Sequence, residues 1–268
     1  MKLFRTWFRA IYIGLVLGTH GLFFACRWLV LRLRGVPVAQ REALITQTLL
    51  LVFGTLGATF IKVAQYLSTR PDLIPDSVVA GLQKLQDRVE PFPYRDVRRI
   101  LLDELGEPPE AIFSELDPYP EASASVAQVH RGVLLADGRE VAVKILRPDI
   151  DRVVALDLTL MRLTARLLNI VPALRILAPV EVVDEFAEAI VQQLDLAQEA
   201  ANNRRFAENF AGDERVAVPD LVDDLCTRRV LCMQFIHGEK VLGPVRSAEA
   251  AERLARAGFH MLLRMVFV

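Results

Sequence analysis

Residues 126–146 constrain the fold more than any other part of the chain. Two runs rich in β-branched residues and alternating in polarity, 126–135 and 140–146, are joined by Ala136-Asp137-Gly138. Alternation turns one face of each run to a core, and Asp-Gly between two such runs is a strong turn signal, so the segment predicts an antiparallel hairpin. Its second arm, Val141-Ala142-Val143-Lys144, places a lysine beside the bend made by Arg147-Pro148. A strand lysine is ordinarily a solvated edge residue. On a short apolar strand it loses water and needs a paired acid, and a long amphipathic helix downstream carries Glu199.

Composition permits a sizeable core. Of the 268 residues 53% are hydrophobic, enough for one large domain or two small ones, and disorder is excluded for most of the length. The formal charge of −1 hides an asymmetry. Residues 1–41 hold seven basic residues (Lys2, Arg5, Arg9, Arg27, Arg32, Arg34, Arg41) and no acid, leaving 25 basic against 33 acidic residues, a net of −8, in the rest. An acidic body argues against nucleic acid as a partner. Cys26, Cys226 and Cys232 are scattered and have no ligand-like spacing with the four histidines, so no disulfide framework and no metal site is expected. Each reads as a small buried apolar residue in a reducing compartment.

The run 11–26 carries no formal charge and continues through Trp28-Leu29-Val30-Leu31. Such a segment either spans a bilayer or lies in its headgroup region with arginines toward anionic lipid; basic residues on both sides leave the direction open. A cleaved signal peptide is the other reading, since Lys2, Arg5 and Arg9 precede the apolar run and Phe24-Ala25-Cys26 loosely matches a lipoprotein site. Bulky Phe23 and Phe24, and the apolar residues after Cys26, fit it poorly.

Apolar spacing over 42–70 predicts one long helix ended by Pro71 and Pro75; a second is expected over 76–87, and a third over 94–105 after the Pro91 and Pro93 linker. Beyond the hairpin, helices are expected over 150–170 and 179–210, strands over 216–222 and 228–235, and a last helix from Ser247 onward. The chain is therefore α+β.

Four separated motifs point to chemistry. Phe60-Ile61-Lys62-Val63-Ala64-Gln65 puts Lys62 and Gln65 on one helix face. Residues 120–130 read PEASASVAQVH. The third motif is the strand lysine, and the fourth is Gln193-Leu194-Asp195 followed by Glu199-Ala200-Ala201-Asn202. In this order and spacing they resemble the UbiB (AarF-type) family of atypical protein-kinase-like proteins, over roughly residues 45–268. The first looks like that family's Lys-x-Gly-Gln helix, the second its alanine-rich loop, the third its phosphate-contacting lysine, and the fourth its Glu-x-Asp motif and helix glutamate.

The resemblance implies a protein-kinase-like small lobe, an antiparallel sheet with long helices, preceded by a helical extension and an apolar N-terminal helix. Its boundaries would be 1–41 for the membrane-contacting segment, 42–106 for the extension and 107–268 for the lobe. It implies ATP binding and ATPase behaviour in support of ubiquinone biosynthesis at the cytoplasmic face of a membrane, with lipid or quinone precursors and quinone-biosynthesis proteins as partners. Lys144 would contact the nucleotide phosphates and Glu199 would orient it. Ala122, Ser123, Ala124 and Ser125 would form the phosphate loop, and alanine there restricts the close backbone approach that glycine permits. Met233 and Ile236 would bound a hinge beside adenine. Lys62 and Gln65, with Gln193, Asp195 and Asn202, would let the extension cap the pocket.

Two residues depart from the pattern. Ala64 stands where the family has glycine, and Gln193 replaces the first acid, so a contact to Lys62 would weaken by about 1–2 kcal/mol. No His-Arg-Asp-like run and no Asp-Phe-Gly follows Lys144, so no catalytic residue and no Mg²⁺ ligand is assigned, Mg²⁺ being expected only in a full-length parent. The chain thus reads as an amino-terminal lobe, a fragment or a natural remnant. The alternative is a non-catalytic membrane-bound scaffold or lipid-handling protein.

Overall fold

The computed structural model describes residues 2–69, 76–82, 89–238 and 247–267. The expected ends at Pro71 and Pro75, and the continuation of the second helix over 83–87, lie outside them. The described residues fall into two compact units between which the chain passes repeatedly: Met1–Val97, Pro120–Val129 and Ile145–Leu194 form the first, and Arg98–Tyr119, His130–Lys144 and Asp195–Val268 the second.

The first unit is mainly helical. Helix α1, Lys2–Leu33, packs along α2, Val38–Leu56, which is followed by α3, Ala58–Ser68, and α4, Asp76–Leu82. The single helix expected over 42–70 is therefore two. Gly57, at φ 92 and ψ −159, adopts a backbone that an L side chain resists. Its N–H donates to the Phe53 carbonyl, ending α2, and its carbonyl accepts from Phe60 and Ile61, starting α3. Val16 is buried against Val52 and Leu56, and Ala64 against Val78 and Leu82. Ala64 is fully buried in that cluster, so its methyl has a place where the related motif has glycine. Gly81 lets α4 approach α2, since a Cβ there would sit 1.9 Å from Thr46 Cγ2.

Arg9 ties α1 to the unit. Its guanidinium meets both Asp157 carboxylate oxygens, at 2.6 and 2.9 Å, and donates to the Leu56 carbonyl at 2.8 Å, while the Tyr12 hydroxyl donates to Thr55 O at 2.9 Å. The last carbonyls of α2 have no intrahelical partners, and a cation at a helix C-terminus also meets the favourable end of its dipole. Asp157 lies on α7, Ile150–Ile170, which runs through a 3-10 turn, Pro172–Leu177, into α8, Pro179–Gln192. The short strand β2, Ala122–Ser123, pairs antiparallel with the start of β3, Ala127–Leu134.

The second unit holds the sheet, in the order β1-β3-β4-β5. Strand β1, Phe113–Leu116, follows α5, Tyr94–Leu105, and the single turn α6, Pro109–Ile112; it pairs antiparallel with β3, Phe113 facing Leu134. The β3 and β4 (Glu140–Leu146) arms form the expected hairpin, with Gly138 at φ 72 in its turn. Strand β5 is Val230–Gln234, and α9, Leu196–Asn209, packs against it. Helix α10, Ala248–Phe267, completes the described chain.

Three expectations are corrected here. Residues 179–210 are not one helix: α8 ends at Gln192, and Asp195 begins α9 as its N-cap, accepting from Ala197 N and Gln198 N. Residues 216–222 make no strand, only an isolated bridge from Leu221 to Met233, because Pro219 lacks the N–H that a ladder needs. Cys26 is exposed on α1 rather than buried, while burial pushes the Cys232 thiol up to about 12.

Candidate functional site

Strand β4 is buried along Val141, Ala142, Val143, Ile145 and Leu146, whereas Lys144 keeps about a quarter of its side chain in solvent. Glu199 lies one turn into α9, whose start is fixed by the Asp195 cap and by Leu196 N donating to the Arg228 carbonyl. These two anchors bring the side chains together. Lys144 Nζ donates to both Glu199 oxygens, at 2.7 and 2.8 Å, across 55 residues of sequence. Both groups remain partly exposed, at 26% and 41%, so the pair adds only about 0–1 kcal/mol to stability. An ammonium held bidentate yet open to solvent is oriented without being consumed, and one or more of its protons can turn to an anionic ligand.

The alanine-rich segment is built within the first unit. Ser123 pairs with Gln128 across the β2–β3 ladder, and Ala124 N donates to Ala127 O at 2.8 Å. Beneath it, Arg147 donates to Ala124 O at 3.0 Å, Ser123 Oγ at 3.1 Å and Glu90 O at 2.7 Å, and its guanidinium stacks 5.6 Å from the Phe92 ring. Burial lowers the Arg147 pKa from its ordinary value, and the arginine stays charged all the same. Buried Gln128 completes the tie, its amide meeting both Phe92 N and Phe92 O. The loop is thus fixed from below by two side chains that the sequence did not single out. Ser125 is 1% exposed, and its Oγ has no hydrogen-bond partner, an orphan that costs about 1–3 kcal/mol until something meets it.

The remaining candidates are distributed. Lys62 and Gln65 are half-buried on α3, and Gln193 is exposed as the C-cap of α8. Asn202 Oδ1 accepts from Gln198 Nε2 one turn earlier on α9. Met233 lies on β5 opposite Leu221, and Ile236 is exposed beyond the strand. Near them Glu140 takes Arg131 and His237 as partners, which together hold its carboxyl below the usual range, with Arg131 the larger influence. A shallow groove opens there, lined by Arg139, Glu140, Val141, Asp220, Gln234 and Phe235. In the same unit His130 is buried, which lowers its pKa, and its Nδ1 lies 2.7 Å from the Asp117 carbonyl. Among the described residues no group of three or more His, Cys, Asp or Glu is placed to hold a metal, so they do not fit Mg²⁺ by themselves.

A family model described as the ABC1 atypical kinase-like domain matches residues 84–268. The chain belongs to the ABC1 atypical kinase-like family. Curated relatives named "Probable protein kinase UbiB" include that of Aeromonas salmonicida, 41% identical over 81% of this chain and 40% of the relative. That of Tolumonas auensis is 36% identical over 98% of this chain and 51% of the relative. The chain thus spans about two fifths to one half of the length of these relatives. A solved structure, a Mycobacterium tuberculosis Rv3197 complex with erythromycin, is 35% identical over 70% of this chain and 47% of that one, with a TM-score of 0.46. Lys144, Glu199 and the alanine-rich loop all fall inside the matched ABC1 segment, whereas Lys62 and Gln65 precede it.

Proposed function

We propose that this chain is the ATP-holding part of a UbiB-like atypical kinase that works at a membrane in support of ubiquinone biosynthesis. The observation that carries the reading is the bidentate Lys144–Glu199 pair on a strand and a helix of an ABC1-family chain. Lys144 contacts the α- and β-phosphates, and Glu199 aims it. The segment Ala122, Ser123, Ala124 and Ser125 forms the phosphate-side loop, stiffened by Arg147, with the unpartnered Ser125 hydroxyl as its donor. Met233 and Ile236 flank adenine. Residues 42–106 form an extension through which Lys62 and Gln65, with Gln193, Asp195 and Asn202, act on the lobe over 107–268. Residues 1–41 attach the protein to the bilayer: Phe4–Leu33 is one helix of mean hydropathy 1.5, long and apolar enough to cross, with 6% of its apolar window buried.

Calorimetric titration with ATP tests the pocket. Lys144→Ala should weaken binding roughly tenfold or more, the worth of one charge-assisted phosphate contact. Equal affinity in wild type and variant, or none in wild type, would remove the assignment and leave the non-catalytic scaffold as the better reading.

A further inference from the structure

The hairpin of α7 and α8 ends in a tip that a water-soluble surface does not explain. Along α7, Leu163, Leu167 and Ile170 follow one another on a single face, and all are exposed, Ile170 to 67%. Val171 before the 3-10 turn, and Ile176 and Leu177 within it, extend this surface, with Ile176 at 88% exposure. The turn is a built one: Arg175 Nε reaches back to the Asn169 carbonyl at 2.8 Å, and Ala178, in the left-handed region at φ 44, starts α8. Contiguous apolar surface of this kind marks an interaction site.

Charge identifies the occupant. Residues 158–180 contain Arg162, Arg166 and Arg175 and no acid, in a body that is otherwise net acidic. Acids resume on α8 at Glu181 and Asp184, and Asp184 takes Arg162 at 2.9 Å. Exposed Arg166 and Arg175 therefore stand nearest the tip. The apolar groups are all aliphatic, without the Trp or Tyr anchors that dominate protein–protein hot spots. Aliphatic side chains ringed by arginine fit a bilayer, the chains entering beneath the headgroups while the cations meet anionic lipid. The same unit presents α1, held to α7 by Arg9 and Asp157.

We infer that residues 163–177 form a second membrane-inserting element, specific for an anionic bilayer surface and distinct from α1. This rests on the proposed membrane association but not on α1 being its means, and the two are separable because both tryptophans, Trp7 and Trp28, lie on α1. The full chain carrying Trp7→Phe, Trp28→Phe and Ile176→Trp places the sole indole at the tip, at a position too exposed to disturb folding. Mixed with vesicles of phosphatidylcholine and phosphatidylglycerol that include brominated lipid, its emission should shift to the blue and be quenched. Arg166→Gln with Arg175→Gln in that background should weaken vesicle binding most at high phosphatidylglycerol content. Ile176→Asp with Leu177→Asp in the wild-type background should lower partitioning roughly tenfold or more, as measured by sedimentation. Quenching of Trp7 and Trp28 in the wild-type chain without quenching at position 176 would overturn the inference and leave α1 as the sole contact. Absence of quenching at all three positions would overturn both readings. A blue shift without vesicles that follows protein concentration would assign the tip to a second copy of the chain instead.

Discussion

Of the ion pairs that join distant parts of this chain, those of Arg9 with Asp157 and of Lys144 with Glu199 do opposite things. Arg9 and Asp157 meet with the aspartate fully buried, and the spare guanidinium N–H takes the Leu56 carbonyl at the end of α2. Every charge there has a partner inside the protein, and the pair fixes three helices. Lys144 and Glu199 meet at comparable distance, yet both stay open to solvent, and the helix that carries Glu199 is positioned by Asp195 rather than by the pair. A buried pair is strongly destabilising to break because the survivor is left uncompensated, whereas a half-exposed one returns to water at little cost. The first pair holds the fold, and the second leaves an oriented ammonium in contact with solvent.

Breaking the first pair should have the largest effect. Arg9→Met leaves a buried carboxylate without its partner and should cost about 3–5 kcal/mol in denaturant unfolding, while adding Asp157→Leu should recover much of the loss. If the single variant unfolds like wild type, the contrast between the two pairs is gone. Asp195→Ala should come next, at about 1 kcal/mol, by removing the cap from Ala197 N and Gln198 N and loosening the turn that carries Glu199. Asp195→Asn keeps an acceptor at the same place and should behave nearly as wild type in both stability and ATP affinity. Loss of affinity in the asparagine variant, with its stability kept, would show that the charge of Asp195 matters and not only its cap.

How far the sequence foretold these pairs depends on what kind of partner each residue takes. The β3–β4 hairpin and Lys144 were legible because Asp-Gly and polarity alternation are local signals, and α5 because its amphipathic spacing is strong. The kink at Gly57 was not, since the apolar stripe runs straight through it and only the φ angle reveals the break. The start of α9 was missed although Asp195 and Gln198 stand in capping-box spacing, because no glycine or proline interrupts the apolar pattern before them. Arg147 and Gln128, which fix the alanine-rich loop, take mostly backbone atoms of Glu90, Phe92 and Ala124 as partners. Backbone groups carry no residue identity, so nothing in the letters marks such contacts. Arg9 was counted only as a basic residue of an apolar segment, since its acid lies 148 positions away.

The smallest stability effect is expected at Lys144. Lys144→Met keeps the length and apolar stem of the side chain and removes the ammonium, leaving Glu199 with 41% of its side chain in water to solvate the carboxylate. Unfolding free energy should therefore change by less than about 1 kcal/mol. The affinity for ATP should fall as far as in Lys144→Ala, because what the nucleotide loses is the charge and not the stem. Double substitution with Glu199→Gln should add little to either quantity, since a glutamate without its lysine has nothing left to aim. A loss of several kcal/mol in Lys144→Met would mean that this pair, like that of Arg9 and Asp157, is part of the frame, and the distinction between a pair that holds and a pair that is used would fail at the residue on which it rests.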